Sequence, residues 1–291
     1  MINFKEKSEK TQKAVGTVFT VLLLLLAALV FCHCSKETVP EGNLVVDGWI
    51  ENGRPPVVML TRSIVVGKQK QWDMEDMTGR VITDARVTVS DGEKEYVLTG
   101  MPSEDHFPPF VYSTTGLLGE PGKSYTLTVR SGEREATARV ALPRTAEMDR
   151  LEPLPMEGGG YAIRCRFKPL KGQYYGFFTR REGKELMFLP AFMSLVNGDT
   201  AAPEMEMILT SGVDITSSSR HKMYFESGET VSVRFCTIER EVYEFWKGYE
   251  DAWLFTHNPF FPVSSDVPSN IRGGYGLWAG YSSTYYRLDI P

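Results

Sequence analysis

Cys32, His33 and Cys34 form the densest group of reactive side chains in the chain, directly after the apolar run VLLLLLAALVF at residues 21–31. Two thiols at that spacing suit three chemistries: a metal clip, a disulfide, or attachment of a lipid. A closed zinc site needs four ligands, and this stretch offers three. His106, His221 and His257 stand isolated elsewhere. A Cys-x-Cys disulfide is strained. Lipid attachment is therefore the expected chemistry, with no metal and no cofactor.

The rest of the chain offers little else that could catalyse. It contains no Gly-x-Ser-x-Gly elbow, no His-Glu-x-x-His pair, no calcium loop and no phosphate loop. Gly280-Tyr281-Ser282-Ser283-Thr284 lacks the closing glycine of an elbow. His221 beside Ser217, Ser218 and Ser219 reads as a solvated loop, and carboxylate pairs such as Glu104 with Asp105 mean nothing without geometry. Gly274-x-Gly276-x-x-Ala279 matches a dinucleotide fingerprint, but no helix pattern follows it. The expectation is a protein with no catalytic residues.

Lys5, Lys7, Lys10 and Lys13 give a basic head, and residues 14–32 are almost purely apolar. That order reads as an export signal. Roughly 19 apolar residues could also span a bilayer, which makes a permanent anchor the alternative. The stretch resembles a bacterial lipoprotein signal, whose apolar run ends at a cysteine that is acylated and becomes the first mature residue. Cys34 is the expected site, because Ser35-Lys36-Glu37 reads as a polar tether, and Cys32 is the alternative. His33 and Phe31 depart from the small residues that usually precede such a cysteine. Residues 1–33 are accordingly read as signal and 34–43 as tether.

The formal net charge is −5 over 291 residues. The signal carries four lysines against Glu6 and Glu9, so the remainder is more acidic still. No basic stripe occurs, and nucleic acid is excluded as an expected partner. Cys165 falls on the apolar alternation of YAIRCRF and Cys236 on the polar alternation of VSVRFCT. An oxidising compartment would let the two pair, but free thiols are the expected state.

Residues 44–143 read as a string of short strands. LVVDGWI (44–50) and VVMLTRSI (57–64) come first, then ARVTVS (85–90) and EYVL (95–98) joined by the Asp91-Gly92 turn. FVYST, GEPGKSYTLTV and EATARVAL complete the set. Turn signals every 8 to 12 residues predict an immunoglobulin-like β-sandwich. Tyr125 after the Pro-Gly corner is read either as a tyrosine corner or as a plain core residue. The long loop at 65–79 carries Trp72, Met74 and Met77, which serve either as a partner contact or as a lid over the sandwich edge.

LPRTAEMDRLEPLP reads as a proline-punctuated crossing into a second β-rich domain, residues 144–291. Strands are expected at 160–168, 173–181, 185–196, 204–210 and 229–238. The period then changes. Val242, Phe245, Trp246, Tyr249, Ala252 and Trp253 lie on one face of a helix over about 239–255. That helix is expected to pack on the domain's own sheet. Thirteen of the chain's 34 aromatic residues fall in the last 51, so much of that density must be core.

The tail identifies a resemblance. Asn258-Pro259-Phe260 after the helix, then Ser269-Asn270-Ile271-Arg272-Gly273-Gly274-Tyr275-Gly276, resemble a Bacteroidota lipoprotein family known as domain-of-unknown-function family 4249. LVVDGWIENGRPPVVMLTRS, DARVTVSDG and GEPGKSYTLTV are similar to its front half. The resemblance implies an outer-membrane, surface-exposed lipoprotein, associated with transporters powered by the TonB system, and no activity or cofactor. Read from the residues themselves, Asn258-Pro259 ends the helix. Gly273, Gly274 and Gly276 indicate a tight turn, a bulge or a close backbone approach. The expected role is a non-enzymatic binding or accessory subunit for nutrient capture or a TonB-dependent transporter, its ligand undefined. The alternatives are a structural or assembly lipoprotein docked on an outer-membrane barrel and, third, an enzyme acting on carbohydrate or peptide.

Overall fold

Alternation of apolar and polar residues builds most of the strands. In β1 (Leu44–Glu51), Leu44, Val46 and Ile50 are buried while Asp47 meets solvent. In β6 (Ser124–Ser131), Tyr125, Leu127 and Val129 are buried. The computed structural model describes residues 42–63, 78–212, 222–256 and 267–291, all within one compact unit, Val39–Pro291.

The first half continues with β2 (Val57–Arg62), β3 (Arg86–Ser90), β4 (Glu95–Pro102), β5 (Phe110–Ser113) and, after β6, β7 (Arg134–Ala141). The second half has β8 (Arg150–Pro155), β9 (Tyr161–Phe167), β10 (Tyr174–Arg181), β11 (Leu189–Pro190), β12 (Val196–Asn197), β13 (Met205–Leu209) and β14 (Thr230–Ile238). Helix α1 (Arg240–Thr256) and β15 (Tyr275–Asp289) complete the chain. The fold is mainly β, with one helix among the described residues near the C-terminus.

One sheet runs in the order β11-β10-β14-β15-β1-β2-β5-β4-β3-β6-β7, with β12 also on β10, and a smaller sheet runs β13-β9-β8. The large sheet turns back on itself as a sandwich. Leu44, Val46 and Ile50 of β1 share a core with Val87 and Val89 of β3 and Leu127 and Val129 of β6. Across that core the buried indole of Trp278 donates to the carbonyl of Tyr125 at 3.1 Å. A second core joins β10 and β14 to the small sheet, centred on Phe167, whose ring meets Phe235 at 4.9 Å and Phe177 at 5.5 Å. The hydrogen-bonded sheet thus continues past residue 144, where the sequence pattern divides the chain.

Each half uses the same device to start a buried strand. Gly122 lies at φ 91°, and the Tyr125 hydroxyl accepts from the Glu120 N–H at 2.8 Å. Gly172 lies at φ 74°, and the Tyr175 hydroxyl accepts from the Leu170 N–H at 2.9 Å. The tyrosine-corner and core readings of Tyr125 therefore both hold.

Two strand expectations are corrected. The crossing before residue 156 contains β8, whose Pro153 and Pro155 are tolerated because β8 is the edge of its sheet. The strand expected over 185–196 is reduced to β11 and β12. Pro190 has no N–H to donate, and Met193 turns the chain with φ 52°.

β15 begins in parallel with β1, from Val45 opposite Tyr275 to Glu51 opposite Tyr281, and ends antiparallel to β14, from Ser282 to Asp289. Its entry needs close backbone contact. A side chain on Gly276 would strike the Val46 carbonyl, and φ is 105° there. A side-chain amide pairs with one residue on each of its two free edges. Asn270 accepts from the Trp278 N–H at 2.9 Å and donates to the Trp278 carbonyl at 2.8 Å. Asn52 does the same for Ser283, at 2.6 and 3.2 Å.

Asn270→Ala removes both partners of a fully buried residue. It is expected to cost about 1–3 kcal/mol, read as a lower urea midpoint with unchanged slope. An unmoved midpoint would show that water replaces the amide.

Candidate functional site: an arginine caged by aromatic rings

Strand register brings Phe178, Arg234 and Tyr285 side by side on one face, because Phe178 is opposite Arg234 and Arg234 is opposite Tyr285. Tyr281, two strand periods from Tyr285, shares that face. The Arg234 guanidinium lies 4.4 Å from the ring centre of Phe178, 4.8 Å from Tyr281 and 5.3 Å from Phe188. Helix α1 covers one flank. Trp246 meets Phe178 edge-on at 5.4 Å, and its indole N–H donates to the Tyr281 hydroxyl at 2.8 Å. Tyr243 packs on Tyr174 at 5.0 Å.

Two further arginines stack on the rim. Arg54 sits 4.9 Å over Tyr285 and Arg180 sits 4.8 Å over Phe188, while Phe188 and Tyr285 meet at 5.6 Å. Both have carboxylate partners. Buried Glu51 takes the Tyr285 hydroxyl at 2.5 Å and lies 3.6 Å from Arg54. Glu182 takes Arg180 at 2.8 Å and the Ser232 hydroxyl at 2.5 Å, and these bonds hold its carboxyl below the usual range.

No described carboxylate forms an ion pair with Arg234, although buried Glu51 helps hold the guanidinium in its charged form. Its Nε is buried without an acceptor. The Cys236 thiol beside it is pushed up to about 11 by burial, against the pull of Arg234, so it stays neutral and is no counter-ion.

Beside this cage lies an apolar cleft of about 360 Å³, open mouth included, lined by Pro190, Phe192, Leu195, Trp246 and Tyr249. Leu186, Met187 and Met193, from the stretch of chain on either side of Pro190, are exposed, Leu186 at 74% and Met193 at 67%. Met193 owes its left-handed conformation in part to Glu250, whose carboxylate accepts its N–H.

Nucleophilic chemistry finds weak footing. Cys165 and Cys236 are free, buried and on opposite faces, and burial pushes the Cys165 thiol up to about 12. Ser103 Oγ lies 2.7 Å from His106 Nδ1, but the two are three residues apart in one loop and no described carboxylate orients the ring. No group of three or more metal-ligating side chains occurs among the described residues. No described helix is long and apolar enough to cross a membrane.

Residues 35–287 match the family described as domain of unknown function (DUF4249). The chain belongs to this family. No curated protein matches it. Among solved structures it is similar to a chain titled "Cytokine receptor complex - Crystal form 1A", with 10% identity over 84% of this chain and 95% of that one. The TM-score is 0.24, so that likeness carries no argument.

In this DUF4249 chain, Asn270, Gly273, Gly274 and Gly276 lie at the root of β15, away from Tyr285. Gly273 approaches the Glu135 carbonyl and Gly274 the Leu44 carbonyl. Cys32, Cys34, Trp72, Met74, Met77, Asn258, Pro259 and Phe260 lie outside the described residues. Sequence reasoning missed Arg234 and Glu51. The available signal was an arginine on the outward alternation of VSVRFCTI, but its neighbours come from three other segments.

Trp246→Ala removes an indole from the helix–sheet contact and a bond to Tyr281. A loss of about 3 kcal/mol is expected in chemical denaturation, at the low end for a large aromatic because Trp246 is half-buried. A second expectation concerns Asp47, on the same face, whose carboxyl burial raises from 3.8 to about 6 although it retains solvent contact. The folded state then binds the proton more tightly than the unfolded one. Stability is therefore present at low pH and lost as pH rises through about 6. Melting of Asp47→Asn across that window should lack this decline; an identical decline in both proteins would assign it to another group.

Proposed function

We propose that this protein is a non-enzymatic lipoprotein of the outer membrane of a Bacteroidota bacterium, anchored through Cys34 and exposed at the cell surface. There it serves as a binding or accessory subunit for nutrient capture beside a TonB-dependent transporter. One observation carries the reading: the apolar run ends at Cys32 and Cys34, and the family match begins at residue 35. A mature chain starting at Cys34 would consist of an acylated residue followed by the stretch that the family model matches, its first residues serving as tether.

Two hydroxyls in the serine-rich stretch after Tyr281 are spent on structure, which supports a binding role. The Ser282 hydroxyl donates to the Pro143 carbonyl at 2.5 Å and Thr284 to the Ala146 carbonyl at 2.8 Å. A lipid anchor confines the protein to two dimensions and raises the effective concentration of any partner there. A weak interface then suffices. The segment around Trp72, Met74 and Met77 is the proposed contact, or else the residues near Phe107 and Phe110. A second reading, a structural lipoprotein docked on a barrel, is favoured by exposed Leu186, Met187 and Met193.

Palmitate labelling of Cys34→Ser tests the anchor. Label should be lost and the protein released or left unprocessed; label that disappears only when Cys32 is also replaced would move the site to Cys32. Crosslinking in whole cells followed by gentle detergent extraction tests the partnership. A TonB-dependent barrel should co-purify, and Met74→Glu should weaken its recovery with an unchanged melting point. Recovery of the native protein alone would defeat the accessory role.

A further inference from the structure

We infer that the cleft between helix α1 and the connection from β11 to β12 binds a small alkylated ammonium cation, held by Glu250 and the rings of Phe192, Trp246 and Tyr249. This goes beyond the accessory reading and depends on neither the anchor nor a barrel partner.

The cleft has a volume of about 360 Å³ with its open mouth, at the small end of ligand pockets. Its walls are aromatic and aliphatic, and Glu250 is the one charged side chain that lines it. Trp246 and Tyr249 stand at 76° to one another with ring centres 5.5 Å apart. Two rings nearly at right angles form the corner of a box, and aromatic faces attract a cation. The connection supplies Phe192, together with Pro190 and Leu195.

Glu250 is short of positive charge. Its side chain is only 13% exposed, and one of its oxygens accepts the Met193 N–H. The other lies 3.8 Å from the Lys247 ammonium, which bonds Asp251 at 2.8 Å instead. Burial accordingly raises the Glu250 carboxyl above its usual range, against the pull of Met193 and Lys247. A buried carboxylate is ordinarily paired, and here a cation from outside could complete the pair.

The lining also decides which cation. A bare ammonium carries three donors, whereas the cleft offers one carboxylate among apolar walls. Methyl groups on the nitrogen suit Pro190 and Leu195 and need no acceptor. The wider field has the same sign. Helix α1 carries Glu241, Glu244, Glu250 and Asp251 against Arg240 and Lys247, and Arg240 is engaged with the Tyr174 hydroxyl at 2.8 Å. A net acidic surface draws in a cation and repels an anion or a second copy of itself.

The wall opposite the helix is fixed in advance. The Ser194 hydroxyl donates to the Ala191 carbonyl at 2.6 Å, and the Ala191 N–H donates to the Phe177 carbonyl at 2.9 Å. With Met193 tied to Glu250, both ends of the turn that presents Phe192 are held, which limits the ordering cost of binding.

Isothermal titration calorimetry of the full chain in detergent tests this with choline, tetramethylammonium and the neutral carbon isostere of choline, dimethylbutanol. Both cations should bind with millimolar or better affinity, and the isostere on the order of tenfold more weakly. Glu250→Gln keeps an oxygen for the Met193 N–H and loses the charge. It should weaken choline about tenfold and leave the isostere unchanged. Tyr249→Leu keeps the carboxylate and removes a ring, so it should weaken choline even if Glu250→Gln proves to melt lower. Equal affinity for choline and the isostere overturns the inference, because the cleft is then an apolar slot. Failure of both cations to bind overturns it too, as does unchanged choline affinity in both variants. Glycerophosphocholine separates the sources of such a cation: affinity equal to that of choline supports a lipid headgroup, and much weaker affinity supports a free solute. Loss of barrel co-purification would leave these titrations unaffected, so the two readings fail separately.

Discussion

β15 must satisfy hydrogen bonds on both edges while changing partner half-way along, and the rest of the molecule is arranged around that requirement. An interior strand exposes a row of N–H and C=O groups on each side, and a buried one cannot leave them to water. β1 takes one edge of the first seven residues and β14 takes the other edge of the last eight. On the remaining edges, Asn270 pairs with Trp278 and Asn52 with Ser283. A primary amide reproduces the donor and acceptor of a peptide, so each asparagine extends a ladder where no strand can reach.

That arrangement fixes where the aromatic residues go. With β15 held between β1 and β14, Trp278 points into the first core and bonds the Tyr125 carbonyl, while Tyr281 and Tyr285 point to the opposite face. The same face of β10 and β14 carries Phe178 and Arg234. Helix α1 follows β14 almost immediately and folds over this surface through Tyr243 and Trp246. It covers Phe178 and Tyr281 but leaves Tyr285 partly exposed. The aromatic cage is a consequence of strand pairing and not of any loop.

Local signals made much of this legible in the sequence. The alternation of Arg86–Ser90, the Asp91-Gly92 turn with Gly92 at φ 93°, and the amphipathic period of α1 each depend on neighbours a few residues away. What could not be read depends on distant chain. The parallel pairing of β1 with β15 joins residues more than two hundred apart, and no periodicity encodes it. Residues 185–196 looked like a strand because they are apolar, but their hydrophobicity serves a cleft and an exposed rim, and Met193 breaks the extension. For the candidate site, Arg234 and Tyr285 were visible as residues and invisible as a pair. Their meeting depends on the β14–β15 register, which a shift of one residue would reverse.

The contrast between the two surfaces on this side of the molecule bears on which one selects a ligand. Exposed Leu186, Met187 and Met193 are carried by irregular chain and offer adaptable, weakly directional contact. Arg234 is held by strands on both sides and by three rings, so its donors keep one orientation. Selectivity between similar molecules depends on polar groups that are left unpaired when the wrong partner arrives. A flexible methionine surface has none to leave unpaired. A fixed guanidinium does.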